Sequence, residues 1–282
     1  PQPKTKAQQR YSRLTGDANR PNGRVERVQR SAKMECNLLG LSEGTTDDLY
    51  VTYHHNWYDH SDSRHPRVRY YSAHVYNNYY DGNAKYGIGA TMGASIFSEN
   101  NYFRNCKYPM LTSMQGSDVA GGNTPTFSKE DGGTIKSYGN YMEGQNGYIP
   151  YQTDNVEFDA YEASSREEQV PASVTSKKGG NTYNNFDTSS KMYAYTPDAA
   201  ADVPSIVTAK AGRVQGGDFK WQFDNSVDDA SYDVNQALKN ALVNYKPTVI
   251  AIGGGFTDNT SDPIVTTATT AVSNTTTTTK TT

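Results

Sequence analysis

Three arginines fall within six residues in Ser63-Arg64-His65-Pro66-Arg67-Val68-Arg69. A guanidinium stays charged across the ordinary pH range, and its planar fork grips a carboxylate through two parallel hydrogen bonds. Arginines at this density suit a polyanion, such as a sugar polymer with a carboxylate on every residue. Strand residues two apart share a face. Val68 is therefore expected to point into a core, with Arg67 and Arg69 outside, on a surface where a substrate can lie. Pro66 restricts His65 and fixes the entry to that strand. A lone exposed arginine is most often solvated or in a surface salt bridge. Three together beside aromatics shift the balance toward a binding site.

The scaffold under the arginines is a repeat. Asn followed by two residues, mostly large or aromatic, recurs at Asn56-Trp57-Tyr58, Asn78-Tyr79-Tyr80, Asn101-Tyr102-Phe103, Asn140-Tyr141-Met142 and Asn185-Phe186-Asp187. The first two spacings are 22 and 23 residues, and the later ones are longer, as long loops inserted into similar turns would make them. Strand-like segments precede the first four: 50–54, 72–76, 94–98 and 134–138. A strand–Asn turn–strand unit of this length fits a parallel β-helix, an all-β solenoid in which each coil buries its face on the next. The asparagines are expected to stack their amides into a ladder and to hold the turns, not to do chemistry. The leucine positions of a leucine-rich repeat are absent. Two long insertions, 113–133 and 144–180, are placed to wall a groove. The segment 233–245 reads as a helix capped by Asp233, with Val234, Leu238, Leu242 and Tyr245 on one face. Pro247 stops it, and the helix is expected to cover the side or open end of the solenoid.

Composition agrees with this class. The chain has 282 residues, 34% of them hydrophobic, and a mean hydropathy of −0.81. Tyrosine compensates, with 22 copies against 8 Phe and 2 Trp, and suits faces that are apolar at one end and wet at the other. The net charge of −3 hides an asymmetry. Residues 1–35 hold nine Lys/Arg against three Asp/Glu, and the other 247 residues hold 18 against 27. That basic arm lacks apolar periodicity and aromatic interleaving, so it reads as a disordered or foreign segment and not as a nucleic-acid site. Cys36 and Cys106 are expected to be free buried thiols. No apolar run is long enough to span a membrane. No signal peptide is read in the sequence, and its opening at Pro1 leads to the expectation of a mature form or a fragment. Residues 256–282 are expected to be a low-complexity tail, mostly threonine from 266 onward.

The arginine block, followed by Ala73-His74-Val75-Tyr76-Asn77-Asn78-Tyr79-Tyr80, resembles the signature of pectate lyase family 1. Leu38-Leu39-Gly40, His54-His55-Asn56 and Ala209-Lys210-Ala211-Gly212 also resemble that family, so the likeness covers about residues 36–255. It implies a right-handed parallel β-helix that cleaves α-1,4-polygalacturonate by β-elimination. A base takes the C5 proton beside the carboxylate, and the glycosidic oxygen leaves C4. By this resemblance Arg64 matches the presumed base and Arg69 an arginine that binds a substrate carboxylate. Arg67 is either a second substrate contact or a structural salt bridge. Calcium bridging substrate and protein carboxylates is also implied, as is a secreted, monomeric protein whose partner is polygalacturonate or pectin.

The chain departs from the family in residues 1–35, where the family carries its acidic calcium ligands. No such stretch is present, and the position of a family lysine five residues before Gly40 holds Glu35, with Lys33 nearby. The expectation is a chain lacking the N-terminal coils, with no identified metal ligands. Glu43, Asp47 and Asp48 read as a solvated acidic loop. The rival readings are a non-catalytic polyuronate-binding solenoid, a pectin lyase acting on methyl-esterified chains, and an adhesin-like structural solenoid.

Overall fold

The computed structural model describes residues 27–29, 37–40, 49–211 and 219–246. All belong to one unit, Pro1–Pro247; a second unit, Thr248–Thr282, lies outside the described residues. So do most of the basic arm, Cys36, the Glu43–Asp48 loop and the Thr-rich tail.

Alternation of apolar and polar residues makes three parallel sheets. The first contains β3 (Tyr50–His54), β6 (Ser72–Tyr76), β9 (Ser95–Glu99), β12 (Thr134–Tyr138) and the short β14 (Tyr161–Glu162). The second contains β1 (Arg27–Gln29), β4 (Trp57–Asp59), β7 (Tyr79–Asp81), β10 (Tyr102–Arg104) and β13 (Tyr141–Glu143). The third contains β2 (Leu38–Leu39), β5 (Arg67–Arg69), β8 (Ile88–Thr91) and β11 (Met110–Thr112). The chain visits the sheets in turn and returns one strand further along, which is a parallel β-helix.

Register places like residues over like, so the core is built of columns. Val51, Ala73, Ile96 and Ile135 align in the first sheet, and Leu39, Val68 and Ala90 in the third. Tyr58, Tyr80 and Phe103 align in the second. Their rings stack at centroid distances of 5.0 and 4.3 Å, a geometry that adds to the burial of apolar area.

Asn56 Nδ2 donates to Asn78 Oδ1 at 2.8 Å, Asn78 Nδ2 to Asn101 Oδ1 at 3.0 Å, and Asn101 Nδ2 to Asn140 Oδ1 at 3.0 Å. Each accepting oxygen also takes the backbone N–H of the rung before it. The amides thereby satisfy backbone groups at a buried bend that no strand partner reaches. The left-handed residue at each bend is the one preceding the ladder: His55, Asn77, Asn100 and Gly139. Asn185, expected as a fifth rung, is not one. It bonds both backbone groups of Val170 and begins a short 3-10 helix, Phe186–Thr188. The ladder stops because the chain leaves the coil after Tyr141–Glu143 and builds loops instead.

Helices differ from expectation in a second way. The helix that covers a sheet is α1 (Val203–Lys210), whose Val203 and Val207 pack on Trp57, Tyr79 and Tyr102 of the second sheet. A four-residue helix, α2 (Asn225–Asp228), and then α3 (Gln236–Asn244) follow. The α3 cap is Asn235, accepting from Leu238 N, and not Asp233. Only Leu238 of the expected apolar face is fully buried; Leu242 is 36% exposed.

Candidate functional site

Arg64 lies in the loop between β4 and β5, in the left-handed region with φ of 67°, and the His65–Pro66 peptide that follows is cis. One coil further on, Tyr86 hydrogen-bonds its guanidinium. Partial burial, with the charges of Arg67 and Arg69 behind it, lowers the Arg64 pKa, while Tyr86 opposes the shift. The direction follows from the cost of a third cation in a partly desolvated cluster.

His65, next to it, is wholly buried. Its Nδ1 lies 3.1 Å from the Tyr86 carbonyl, which can only accept, so Nδ1 carries the proton. Nε2 then accepts from the Ser61 hydroxyl at 2.7 Å. Burial pushes the pKa of this neutral ring down to about 3. The unfolded chain, with a value near 6.5, binds more protons between those limits. The stability tied to neutral His65 is therefore present above about pH 6.5 and is lost as pH falls toward 3. The thermal midpoint is expected to fall on acidification below about pH 6.5, and to fall less in His65→Gln. Equal slopes in the two proteins would exclude His65 as the cause.

Val68 points into the core, as its alternation requires, and is 0% exposed. Arg67 and Arg69 leave the opposite face, but the surface there is not open. The first insertion folds over it and brings Phe127 and Glu130. Gly89, the strand neighbour of Arg67 on the next coil, has no side chain to obstruct this approach. A Cβ there would lie 2.9 Å from the Phe127 ring. Phe127 instead packs on Tyr86 and Leu111, and the Arg67 guanidinium lies over its ring at 5.1 Å. Glu130 accepts from Arg67 Nη2 at 2.7 Å and from Arg69 Nε at 3.0 Å, and pairs closely with Arg69 Nη2. Arg67 is left only 4% exposed, which corrects the expectation of an open outward arginine. Burial draws the Glu130 pKa up, but the hydrogen bonds from Arg69 and Arg67 outweigh it and hold the carboxyl below its usual range. Tyr86 was within reach of sequence reasoning, since it stands one repeat after Arg64. Glu130 had no such signal, because its loop has no period.

The described residues that best match metal-ligand spacing are Asp59, His60 and Asp81, all buried, with one donor atom each within 4.8 Å of the others. Protein groups already occupy this cluster. Arg104 bonds both Asp81 and Asp229, His60 bridges Asp59 and Asp229, and Trp57 donates to Asp81. A guanidinium stands where a cation would go, so these residues do not fit calcium. Cys106 is a buried free thiol, and burial raises its pKa.

The fold is a parallel β-helix with clustered arginines on one flank. The chain belongs to the pectate lyase family, whose description matches residues 33–216. It is 40% identical over 75 residues to a pectate trisaccharide-lyase of Bacillus licheniformis, covering 27% of this chain and 22% of that one. It is 32% identical over 111 residues to a pectate lyase of Bacillus subtilis, covering 36% and 25%. A solved pectate lyase variant from Xanthomonas campestris is 26% identical, with a TM-score of 0.36 over 59% of this chain and 41% of that one. The chain thus spans a quarter or less of the length of these two curated relatives.

Proposed function

We propose that this chain carries the arginine side of a lyase that cleaves α-1,4-polygalacturonate by β-elimination, in an extracellular setting. The observation that carries the reading is the placement of Arg64. It lies beside two more arginines, on a partly desolvated flank of a pectate lyase β-helix, with its pKa lowered. Arg64 in its neutral form takes the C5 proton. The C5–H electrons form the C4–C5 double bond, and the C4–oxygen bond breaks. The leaving oxygen is then protonated, giving an unsaturated sugar and a new chain end. Arg69 binds the substrate carboxylate, and Arg67 holds the wall behind it.

The resemblance implies calcium, but no fitting ligand set occurs among the described residues, so the chemistry assigned to this chain is that of its arginines. No described helix is long and apolar enough to cross a membrane. A second reading, a solenoid that binds polyuronate without cleaving it, is favoured by the same lack of a fitting metal set.

Incubation with polygalacturonate, followed by ultraviolet absorbance of the unsaturated product, tests the proposal. Product that disappears with a calcium chelator supports a calcium-assisted lyase. Binding without product supports the second reading, and equal rates on methyl-esterified pectin point to a pectin lyase. Neither binding nor product on any of these sinks the proposal.

A further inference from the structure

Arg69, proposed above as the clamp for a substrate carboxylate, already holds a carboxylate of the protein. We infer that Glu130 is a positioning residue, which fixes the Arg69 guanidinium and leaves the Arg67–Arg69 pair with one net positive charge, matched to a single uronate. This rests on the reading of Arg69 as a substrate clamp.

The alternative is a loop that swings away when substrate arrives, with Glu130 as an internal competitor. The backbone around Glu130 argues against it. Ser113 Oγ donates to the Glu130 carbonyl at 2.8 Å, and Met92 N donates to the Asp131 carbonyl at 2.7 Å. Gly93 N donates to the Gly132 carbonyl at 3.0 Å, and Gly132 N to the Lys178 carbonyl at 2.8 Å. Met92 directly follows β8, the neighbour of the arginine strand, so the loop is stapled to the sheet that carries its target.

Ser128 and Lys129, just before Glu130, both have positive φ, 56° and 60°. Two successive non-glycine residues in the left-handed region are costly and persist only where the surroundings hold them. The turn they make aims Glu130 at the arginines. Of five N–H donors on a guanidinium, Glu130 takes two from Arg69, on its Nε–Nη2 edge. The remaining donors are thereby held in a fixed plane, and a preorganised fork loses less entropy when it meets a ligand.

The test compares the parent with Glu130→Gln, a neutral residue of the same shape. Tri- or oligogalacturonate serves as ligand, and Arg Nε–H signals are followed by 15N NMR. The variant is expected to raise KM, or the dissociation constant, about tenfold with kcat nearly unchanged, as loss of uniform binding requires. The Arg69 Nε–H signal is expected to lose its protection from solvent exchange. Binding by the variant that equals or exceeds the parent's overturns the inference. If the parent neither binds nor cleaves, the proposed function fails, and the NMR signal alone decides the orienting role: loss upholds it and an unchanged signal overturns it. Should the variant not fold, Glu130→Asp, which keeps the charge and withdraws the carboxylate, is read in its place by the same two measurements.

Discussion

Replacing Arg64 with alanine is expected to lower the rate of the proposed pectate elimination by about 10²–10⁴-fold, the usual worth of a positioned general base. Binding should change far less, because the carboxylate clamp is assigned to Arg69. The chemistry demands a neutral guanidine, and an isolated one is protonated up to about pH 12. The structure supplies two influences in the required direction, partial burial and the charges of Arg67 and Arg69. The reactive fraction grows with pH, so the rate is expected to rise through the alkaline range. Arg64→Lys separates charge from geometry. An amine loses its proton near pH 10.4, below the ordinary arginine value. A lysine variant as fast as the parent near neutral pH would falsify the assignment of a specific arginine base. A tyrosine partner matters here as well: Tyr86 holds the guanidinium, and its own pKa is raised by burial.

Removal of the Asp187 carboxylate is expected to be the most damaging single change to stability. Lys136 on β12 is 0% exposed, an unusual place for an ammonium. Its Nζ donates to Asp187 Oδ2 and to the Arg166 carbonyl, each at 2.7 Å, and lies 4.9 Å from the centre of the Phe97 ring. Tyr183 donates to the other Asp187 oxygen at 2.8 Å. Asp187→Ala leaves a buried cation with a carbonyl and an aromatic face. Breaking one side of such a pair costs about 3–5 kcal/mol, a large share of the 5–15 kcal/mol that holds a typical domain. Replacing both partners with apolar residues, as in Lys136→Met with Asp187→Leu, is expected to restore much of that loss. Urea unfolding of the single and double variants gives the answer. A single-variant loss under about 1 kcal/mol would mean that the pair behaves like a surface salt bridge.

The asparagine ladder and the two insertions mark how far a sequence can be read. Asn56, Asn78, Asn101 and Asn140 announced the coil period, and the structure joins all four into one hydrogen-bonded column. Three of the four strands expected before them, 50–54, 72–76 and 134–138, have the expected bounds, and the fourth is shifted by one residue to Ser95–Glu99. Such features are local, because register between neighbouring coils follows once the period is known. Asn185 failed as a fifth rung because an Asn before large residues also begins an ordinary turn when no coil lies beneath it. The helix expected over 233–245 forms as α3, Gln236–Asn244, whereas α1 was not foreseen. An apolar stripe shows that 233–245 can be a helix, but not what it meets, and it is α1 that finds the aromatic face of the second sheet.

By itself the sequence determined a repeating β coil, the inward turn of Val68 and the crowding of Arg64, Arg67 and Arg69 on one stretch. Period and alternation are short-range properties, and they are written residue by residue. Only the tertiary structure decided what those arginines face. Glu130 comes from a loop 61 residues beyond Arg69, and Phe127 lies on the sheet because Gly89 leaves room for it. The loop that carries Glu130 is held by backbone contacts from Met92 and Gly93, just after β8, and no pattern in a loop sequence encodes contacts made so far along the chain.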